Sequence, residues 1–389
     1  MRPPERRNGV VVVGGGYAGL HAVRAVERLG VDVTVIDRRG DHDFVTRLAA
    51  VAGGSAPERD ARQPLGRFAR HVDVGSVVAV GDGTVELADG RRIEADAVVI
   101  TAGAESSRPP IEGLEHAARL RTADDALALR SAIAVAASVA IIGGGATGVQ
   151  LAGSVAHAHP EIRVHLVEIE PSLLAGLPTG LGAGAARILA GRGVELHLGH
   201  PVDRIGPDGV YVAGRFITGL VIWAGGFAAD VARLGVPTTD DGRIAVEADL
   251  RVAGMRRTFA AGDVAAHVDR HGDTLPMSAQ IAVQAGTVAG RNAARVVRDE
   301  PTEPVVLQQL GWVLDLAGRR GLAQLGPLVL AGPVADLIPP LLHDAIDIKN
   351  LIEIGGLTAL RFAPESVRTL VQHLPLLSWA AGPATAPAA

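Results

Sequence analysis

The amino-acid sequence predicts an α/β fold built around two βαβ units of the same design. The first observation is a β-branched run and a glycine turn at Val10–Val23 (VVVVGGGYAGLHAV). The second is a near repeat at Val139–Ala152 (VAIIGGGATGVQLA). The third is that each turn precedes another β-branched stretch that ends in an acid, at Val31–Asp37 and Ile162–Glu168. The two runs start at Val10 and Val139, much farther apart than the repeats of a solenoid protein. We therefore predict two Rossmann-like domains in one chain.

The amino-acid composition excludes several classes of functional site. The chain of 389 residues is long enough for two or three domains. It has no cysteine, which excludes disulfides, thiolate nucleophiles, cysteine-ligated zinc and a redox-active dithiol. Lys349 is the only lysine, so a phosphate-binding GKS or GKT loop is also excluded. The net charge of −5, without a basic stripe, indicates no nucleic-acid partner.

The chain also lacks the apolar run of a signal peptide or of a membrane span, which needs about 18 residues. We therefore expect a cytoplasmic protein. Peripheral contact with the inner face of the cell membrane stays open at this point.

The first glycine turn satisfies G-x-G-x-x-G through Gly14, Gly16 and Gly19. The first glycine permits a tight turn, the second lets backbone amides approach a pyrophosphate, and the third lets the helix pack on the strand. The start of that helix would offer unpaired N–H groups to the phosphates. Asp37 ends the next strand, where an acid accepts hydrogen bonds from ribose hydroxyls. The alternative is a glycine turn that binds nothing.

The second glycine turn, with Gly143, Gly145 and Gly148, repeats this pattern and places Glu168 where Asp37 stands in the first. Glu170 follows closely, and two carboxylates would repel a 2′-phosphate, so NADH is favoured over NADPH. A degenerate second unit without a ligand is the alternative.

Over roughly residues 8–355 the sequence resembles the type II NADH:quinone oxidoreductases, flavoproteins related to the pyridine nucleotide-disulphide reductases. Besides the glycine turns, the resemblance rests on three segments: Ala95–Ala104 (ADAVVITAGA), Leu220–Asp230 (LVIWAGGFAAD) and Thr258–Ala266 (TFAAGDVAA). The first two resemble the crossings between the FAD and NAD domains, and the third resembles the segment that meets the flavin side chain. The resemblance implies a discontinuous FAD domain (1–110 and 250–305), an inserted NAD(P)H domain (111–249) and a C-terminal region (306–389).

The resemblance also implies the residues that bind the two cofactors. Those expected at FAD are Gly14, Gly15, Gly16, Tyr17, Ala18, Gly19, Asp37, Arg38, Arg47, Val78, Thr101, Ala102, Gly103, Gly262, Asp263, Ala279 and Gln280. Those expected at NADH are Gly143, Gly145, Ala146, Thr147, Gly148, Glu168, Ala224 and Gly225. Arg47 either approaches the cofactor or is simply solvated.

The segment Ala279–Gln284 (AQIAVQ) matches the AQxAxQ pattern that type II dehydrogenases carry beside the flavin. On a helix that starts near Pro276, Gln280 and Gln284 share one face and can offer amide donors to a quinone carbonyl. The alternative is that they only support flavin contacts. Gln150 stands where the family has a glutamate credited with proton delivery, so protons would arrive through water or His343.

The expected reaction is hydride transfer from NADH to the flavin, followed by electron delivery to a quinone-like acceptor. One alternative is an NADH-dependent reductase of ferredoxin or rubredoxin. Another is a flavin and NADH sensor of the apoptosis-inducing factor kind.

Three further expectations concern the rest of the chain. Val194–Leu198 and Val210–Phe216 read as a hairpin-like pair. Leu322–Leu342 and His343–Ile354 suggest amphipathic helices that serve as a membrane contact, a homodimer interface or a flavin cover. The histidine pairs His157/His159 and His197/His200 lack acids in ligand spacing, so we expect no metal site.

Overall fold

The computed structural model describes residues 5–229, 231–326 and 328–330. The first part of the chain contains nine strands and two helices: β1 (Glu5–Val13), α1 (Tyr17–Arg28), β2 (Val33–Asp37), β3 (Asp41–Asp43), α2 (Leu48–Ala52), β4 (Arg62–Pro64), β5 (Val72–Val74), β6 (Val77–Gly81), β7 (Thr84–Leu87), β8 (Arg92–Ile100) and β9 (Glu105–Ser106).

The middle part holds the second glycine turn. Its elements are β10 (Ala118–Arg119), α3 (Ala123–Ile133), β11 (Ser138–Ile142), α4 (Ala146–Ala158), β12 (Arg163–Glu168), α5 (Thr179–Ala190), β13 (Glu195–Leu198), β14 (Val202–Gly206), β15 (Gly209–Val212), β16 (Arg215–Thr218), β17 (Leu220–Trp223) and β18 (Phe227–Ala228). The last part contains β19 (Thr258–Ala260), α6 (Ala279–Val297), β20 (Gly311–Asp315), β21 (Gly321–Leu325) and β22 (Leu328–Leu330).

The first unit is a seven-stranded sheet in the order β5-β2-β1-β8-β7-β6, with β19 also paired to β8. Strand β1 runs parallel to both β2 and β8 and is buried on both faces, which explains its continuous valine run. Helices α1 and α6 pack together on one face. Gly286 and Gly290 of α6 make this possible, since a Cβ at either position would collide with the backbone of Ala18 or Ala22 in α1.

The second unit is a five-stranded parallel sheet in the order β10-β17-β11-β12-β13. The predicted α/β class with two Rossmann-like units is therefore confirmed. Of the two hairpin-like stretches predicted here, Val210–Phe216 is confirmed as part of a hairpin, whereas the prediction for Val194–Leu198 is wrong. Strand β13 joins the parallel sheet through β12, and β15 and β16 form their own hairpin beside β14. The chain can bend between β15 and β16 because Gly214 adopts a positive φ of 73°.

The chain returns to the first unit early. The side chains of Val231, Leu234, Val236 and Ile244 belong to the apolar cluster on the face of the first sheet opposite α1. In the structure these residues thus pack with the first unit, whereas the sequence analysis put the domain boundary at residue 249. Helix α2 precedes the second unit in the chain but packs against it: Leu48, Ala49, Val51 and Ala52 belong to the apolar cluster of the second unit.

The described part of the C-terminal region is a three-stranded antiparallel sheet, β20-β21-β22. Leu314, Leu316 and Leu322 pack in the cluster of the second unit. The prediction of a helix from Leu322 is therefore wrong for residues 322–326 and 328–330, because residues 322–325 and 328–330 lie in strands β21 and β22, and the strand arrangement buries Leu322 and Ala323. The remainder of Leu322–Leu342, together with His343–Ile354, lies outside the described residues. Among the helices that are described, none combines the length and the hydropathy needed to cross a bilayer.

Candidate functional site

The first glycine turn leaves the start of α1 open. Gly14 has a φ of +104°, and a side chain at Gly16 would meet no other atom. Gly16 is the N-cap residue, and neither a capping side chain nor an acid occupies the first turn. By contrast, α3 is capped by Thr122 in a capping box with Asp125. The predicted residues Tyr17, Ala18 and Gly19 form the first turn of α1, and such a helix end without a capping side chain is of the kind that binds anions.

Asp37 fixes this turn from the neighbouring strand. Its Oδ2 accepts a hydrogen bond from the Gly15 amide at 2.9 Å, and its Oδ1 accepts one from the Arg39 amide at 2.8 Å. The carboxylate also lines a cavity of about 150 Å³. The cavity wall includes five more predicted residues: Gly14, Arg38, Val78, Ala102 and Gly103.

The same cavity contains residues that sequence reasoning missed. Glu105 accepts a hydrogen bond from Arg38 at 2.9 Å, and Arg233 and Leu234 close the wall from the returning chain. Thr101, a predicted residue, is buried behind the turn, with its hydroxyl at 2.9 and 2.8 Å from the carbonyl oxygens of Val13 and Gly14.

A buried histidine supports the glycine turn from below. His42 Nδ1 lies 2.9 Å from the Gly15 carbonyl oxygen, which only accepts, so Nδ1 carries the proton and donates. The rings of Tyr17, Phe44 and Phe68 surround the imidazole edge to face. Burial lowers the pKa of His42 to about 4. A neutral imidazole thus holds the turn at physiological pH, and no sequence pattern identified it.

Gly262 and Asp263 lie at the end of β19, beside the first turn. Gly262 has a positive φ of 81° and donates its N–H to Nε2 of His267 at 3.1 Å. Burial raises the pKa of Asp263, while the Arg121 guanidinium, 3.4 Å from Oδ2, opposes that rise. Arg121 also donates to the Ala104 carbonyl at 2.5 Å. Arg121, which no sequence pattern identified, thus links the segment Ala95–Ala104 to the carboxylate of Asp263.

The second glycine turn reproduces the first in detail. Gly143 has a φ of +112°, a side chain at Gly145 would meet no other atom, and α4 begins without a capping side chain. The open end of α4 carries the N–H groups of the predicted residues Ala146, Thr147 and Gly148. Glu168 Oε2 accepts from the Gly144 amide at 2.5 Å, and its Oε1 accepts from the Glu170 amide at 2.9 Å. A carboxylate therefore anchors the middle glycine of both turns.

A cleft of about 770 Å³ separates the second glycine turn from the segment that leads into α6. Gly145 and Ala146 form one wall, and Pro276 and Met277 form the opposite one. The segment that contains Ala224 and Phe227 also lies at this cleft. The Ala224 amide donates to the Ile142 carbonyl at 2.7 Å, next to the second glycine turn, and Phe227 lines the cleft.

A buried arginine stands in the wall of this cleft. Arg243 is 5% exposed and pairs with Asp241 at 2.6 Å, and it donates to the Leu275 carbonyl at 3.1 Å. The bonds from Arg243 and Thr239 lower the pKa of Asp241 to about 2, so this pair stays charged. Arg243 thereby holds the segment just before α6 in place.

Gln280 and Gln284 share one face of α6, as predicted, but the protein itself uses most of their hydrogen-bonding groups. Gln284 Nε2 donates to the Gln308 carbonyl at 2.9 Å, and Gln280 Oε1 accepts from the Leu310 amide at 2.5 Å. Helix α6 begins at Ala279 with Ser278 as its cap, three residues after Pro276, near which the start was predicted. Within the described residues no hydrogen bond engages Gln280 Nε2, which leaves that donor for a ligand.

Gln150 and Arg47 lie together in a small cavity at the junction of the two units. Arg47 is 5% exposed, which rules out the solvated alternative. The Asp315 amide donates to Gln150 Oε1 at 3.3 Å, and Asp315 is also a lining residue of this cavity. The Asp315 carboxylate accepts a hydrogen bond from the Ala317 amide at 2.8 Å.

Comparison with known proteins agrees with this geometry. The profile of the family described as pyridine nucleotide-disulphide oxidoreductase matches residues 8–286. The chain is 29% identical to the type II NADH:quinone oxidoreductase of Mycobacterium tuberculosis, over 87% of this chain and 84% of the relative. It is 26% identical to a type II NADH:quinone oxidoreductase of Staphylococcus aureus, over 90% and 97%.

Two solved structures share the fold. NDH2 from Plasmodium falciparum in complex with NADH aligns with a TM-score of 0.77 at 14% identity, over 90% of this chain and 97% of that one. The ferredoxin reductase for the CYP199A2 system from Rhodopseudomonas palustris aligns with a TM-score of 0.71 at 22% identity, over 82% of each chain.

Proposed function

The chain belongs to the pyridine nucleotide-disulphide oxidoreductase family, and from this premise we propose that it is an FAD-dependent oxidoreductase that takes a hydride from NADH and reduces a quinone. The relatives named as type II NADH:quinone oxidoreductases match it across most of their length, which supports this choice within the family. Because the chain has no cysteine, the redox dithiol of the disulphide reductases is absent.

One observation carries the proposal. Two helices, α1 and α4, begin at glycines whose surroundings are empty, and neither has a capping side chain. Each turn is held by a carboxylate, Asp37 or Glu168, at the end of the next strand. These features fit the pyrophosphate and ribose groups of two dinucleotides.

The first site fits FAD. The cavity beside Asp37 suits the adenosine end, and the open end of α1 suits the pyrophosphate. Gly262 and Asp263 stand further along, where they can approach the ribitol chain and the inner phosphate. When bound, the flavin supplies the redox chemistry, namely hydride acceptance and electron delivery.

The second site fits NADH. The end of α4 receives the pyrophosphate, and Glu168 accepts from the adenosine ribose. The nicotinamide then extends into the cleft between Gly145 and Pro276–Met277, whose walls orient it and limit water.

On the acceptor side, Gln280 Nε2 is the available amide donor for a quinone carbonyl. Gln284 serves to hold Gln308. Since Gln150 cannot release a proton at neutral pH, we propose that quinone protons come from water.

The test begins with the purified protein, which should be yellow and should bleach under anaerobic NADH. Rapid reoxidation by menadione or a ubiquinone analogue, with slow reoxidation by ferredoxin and oxygen, is the expected result. A colourless protein that cannot be reconstituted with FAD would contradict the proposal, because every step of it requires bound FAD. Faster turnover with ferredoxin would assign a ferredoxin reductase instead. Slow reoxidation by every acceptor, with a change of oligomeric mass on adding NADH, would assign a sensor.

A further inference from the structure

A cluster of two histidines and a glutamate lies at the outer edge of the second sheet, on strands β12 and β13. His165 is on β12, and Glu195 and His197 are on the edge strand β13. In the parallel register His165 stands beside Glu195, and Val167 stands beside His197. Because alternate residues of a strand face the same side, all three side chains emerge on one face of the sheet.

The ligand-type atoms of this cluster converge. His165 Nδ1 lies 3.2 Å from His197 Nε2 and 3.4 Å from Glu195 Oε2, and all three atoms lie within 4.8 Å of one another. Two ligands bound at about 2.0–2.1 Å in a tetrahedral zinc site stand about 3.3 Å apart, so both short separations match such a site. Imidazole nitrogens with one carboxylate are also a ligand set that zinc-type ions favour over magnesium or calcium.

The cluster opens into a cavity of about 240 Å³ between the sheet and the hairpin β15–β16. Val212 and Ile217 cover it from the hairpin, and His200 lines it as a further imidazole. Arg163 and Arg215 also border the cavity, but both are exposed to solvent, which screens their charge. The side chain of His165 is only 12% exposed, whereas that of Glu195 is 59% exposed and leaves an entry path.

We propose that His165, Glu195 and His197 bind a divalent transition-metal ion of the zinc type. Water or His200 supplies the fourth ligand. The ion links β12 to the edge strand β13 and displaces the proton shared by the two imidazoles. This proposal does not depend on the identity of the electron acceptor. In the chain His197 lies near His200, whereas the strand pairing in the folded protein brings His165 beside Glu195 and within 3.2 Å of His197.

The test uses untagged holoprotein that has been treated with chelator and then titrated with ZnCl2 by calorimetry. Wild-type protein should bind one zinc equivalent and show a higher Tm with zinc. Glu195→Gln and His197→Gln should each bind zinc at least about 10-fold more weakly and lose the Tm rise. His116→Gln is the matched control, because His116 also lies beside a glutamate, 3.9 Å from Glu115, and should keep the wild-type affinity.

Flavin absorbance confirms that each variant is folded, and the exposed Glu195 carries the test if His197→Gln does not fold. Wild-type protein that binds no zinc would overturn the proposal. So would Glu195→Gln protein with unchanged affinity, since the ion would then be bound elsewhere.

Discussion

Gln284 and Gln308 exchange two hydrogen bonds: Gln284 Nε2 donates to the Gln308 carbonyl at 2.9 Å, and the Gln308 amide donates back to Gln284 Oε1 at 3.2 Å. The side-chain amide of Gln284 therefore pairs with both backbone groups of Gln308, as a residue of a neighbouring β-strand would. This pairing holds the segment that leads from α6 to β20. Gln280, one turn earlier on the same helix face, uses its carbonyl oxygen for Leu310 but keeps its amide donor. The two glutamines of one motif thus have different tasks.

This difference predicts that substitutions of Gln280 and Gln284 affect different properties, quinone kinetics for Gln280 and stability for Gln284. Gln280→Glu keeps an oxygen for Leu310 and removes the amide donor, so kcat/KM for menadione should fall about 5- to 10-fold, with unchanged flavin reduction by NADH. Gln284→Ala should lower the free energy of unfolding by about 1–3 kcal/mol, because two hydrogen bonds are lost. Stopped-flow kinetics and urea denaturation measure these quantities. Unchanged quinone kinetics in Gln280→Glu would remove Gln280 from the acceptor site.

The two glycine turns predict a reciprocal pair of variants. A Cβ added at Gly16 or at Gly145 meets no protein atom, the backbone there is already extended, and aspartate is a favourable N-cap residue. Both variants should fold, but each places a carboxylate where a phosphate binds. Gly16→Asp should bind FAD at least about 100-fold more weakly, measured by flavin absorbance after gel filtration.

Gly145→Asp should stay yellow and raise the KM for NADH at least about 10-fold. Each variant is the control for the other, because the substitution and its local surroundings are matched. Loss of FAD from Gly145→Asp would show that the two sites have been assigned to the wrong cofactors.

The Glu168 carboxylate predicts selectivity for NADH. Glu168→Gln keeps an acceptor for the Gly144 amide but removes the charge that repels a 2′-phosphate. The ratio of kcat/KM for NADH to that for NADPH should therefore fall about 10-fold in steady-state assays. Glu170→Gln, an exposed neighbour, should change this ratio less. A ratio that stays at the wild-type value in Glu168→Gln would contradict the role given to this carboxylate.

The buried His42 predicts a loss of stability in mild acid. Its pKa is about 4 in the folded protein and near 6.5 when exposed, so between these values the unfolded chain binds the proton more readily. Folded-state stability is thus complete above pH 6.5 and declines as the pH falls. At pH 5 this histidine alone lowers the free energy of unfolding by about 2 kcal/mol relative to pH 7. His267, whose pKa burial and Arg243 also lower to about 4, acts in the same direction.

His42→Asn tests this because an asparagine amide can replace Nδ1 as the donor to Gly15 but does not titrate. Urea denaturation at saturating FAD should show a difference between pH 7 and pH 5 that is about 2 kcal/mol smaller than in wild type. The raised pKa of Asp43 contributes with the opposite sign in both proteins, so the comparison isolates His42. The exposed His116→Gln is the control. An identical pH dependence in His42→Asn and wild type would show that His42 is not the titrating group.

Local sequence determined the features whose physics is local. Gly14 and Gly143 need positive φ angles, Gly16 and Gly145 must leave a helix end open, and a β-branched run must precede each turn. These constraints act within a few residues, so the pattern alone predicted both turns, Asp37, Glu168 and the shared face of Gln280 and Gln284. The absence of cysteine likewise excluded the dithiol without any coordinates.

Tertiary structure decided which distant groups meet. His42 beneath Gly15, Arg121 beside Asp263, Gln284 against Gln308 and His165 beside His197 are contacts between residues 24 to 142 positions apart. The strand pairing of residues 321–325 and 328–330, in place of a helix, also depends on partners elsewhere. Short-range propensity holds no information on such partners, because the free energy that selects them comes from packing and hydrogen bonding across the folded chain.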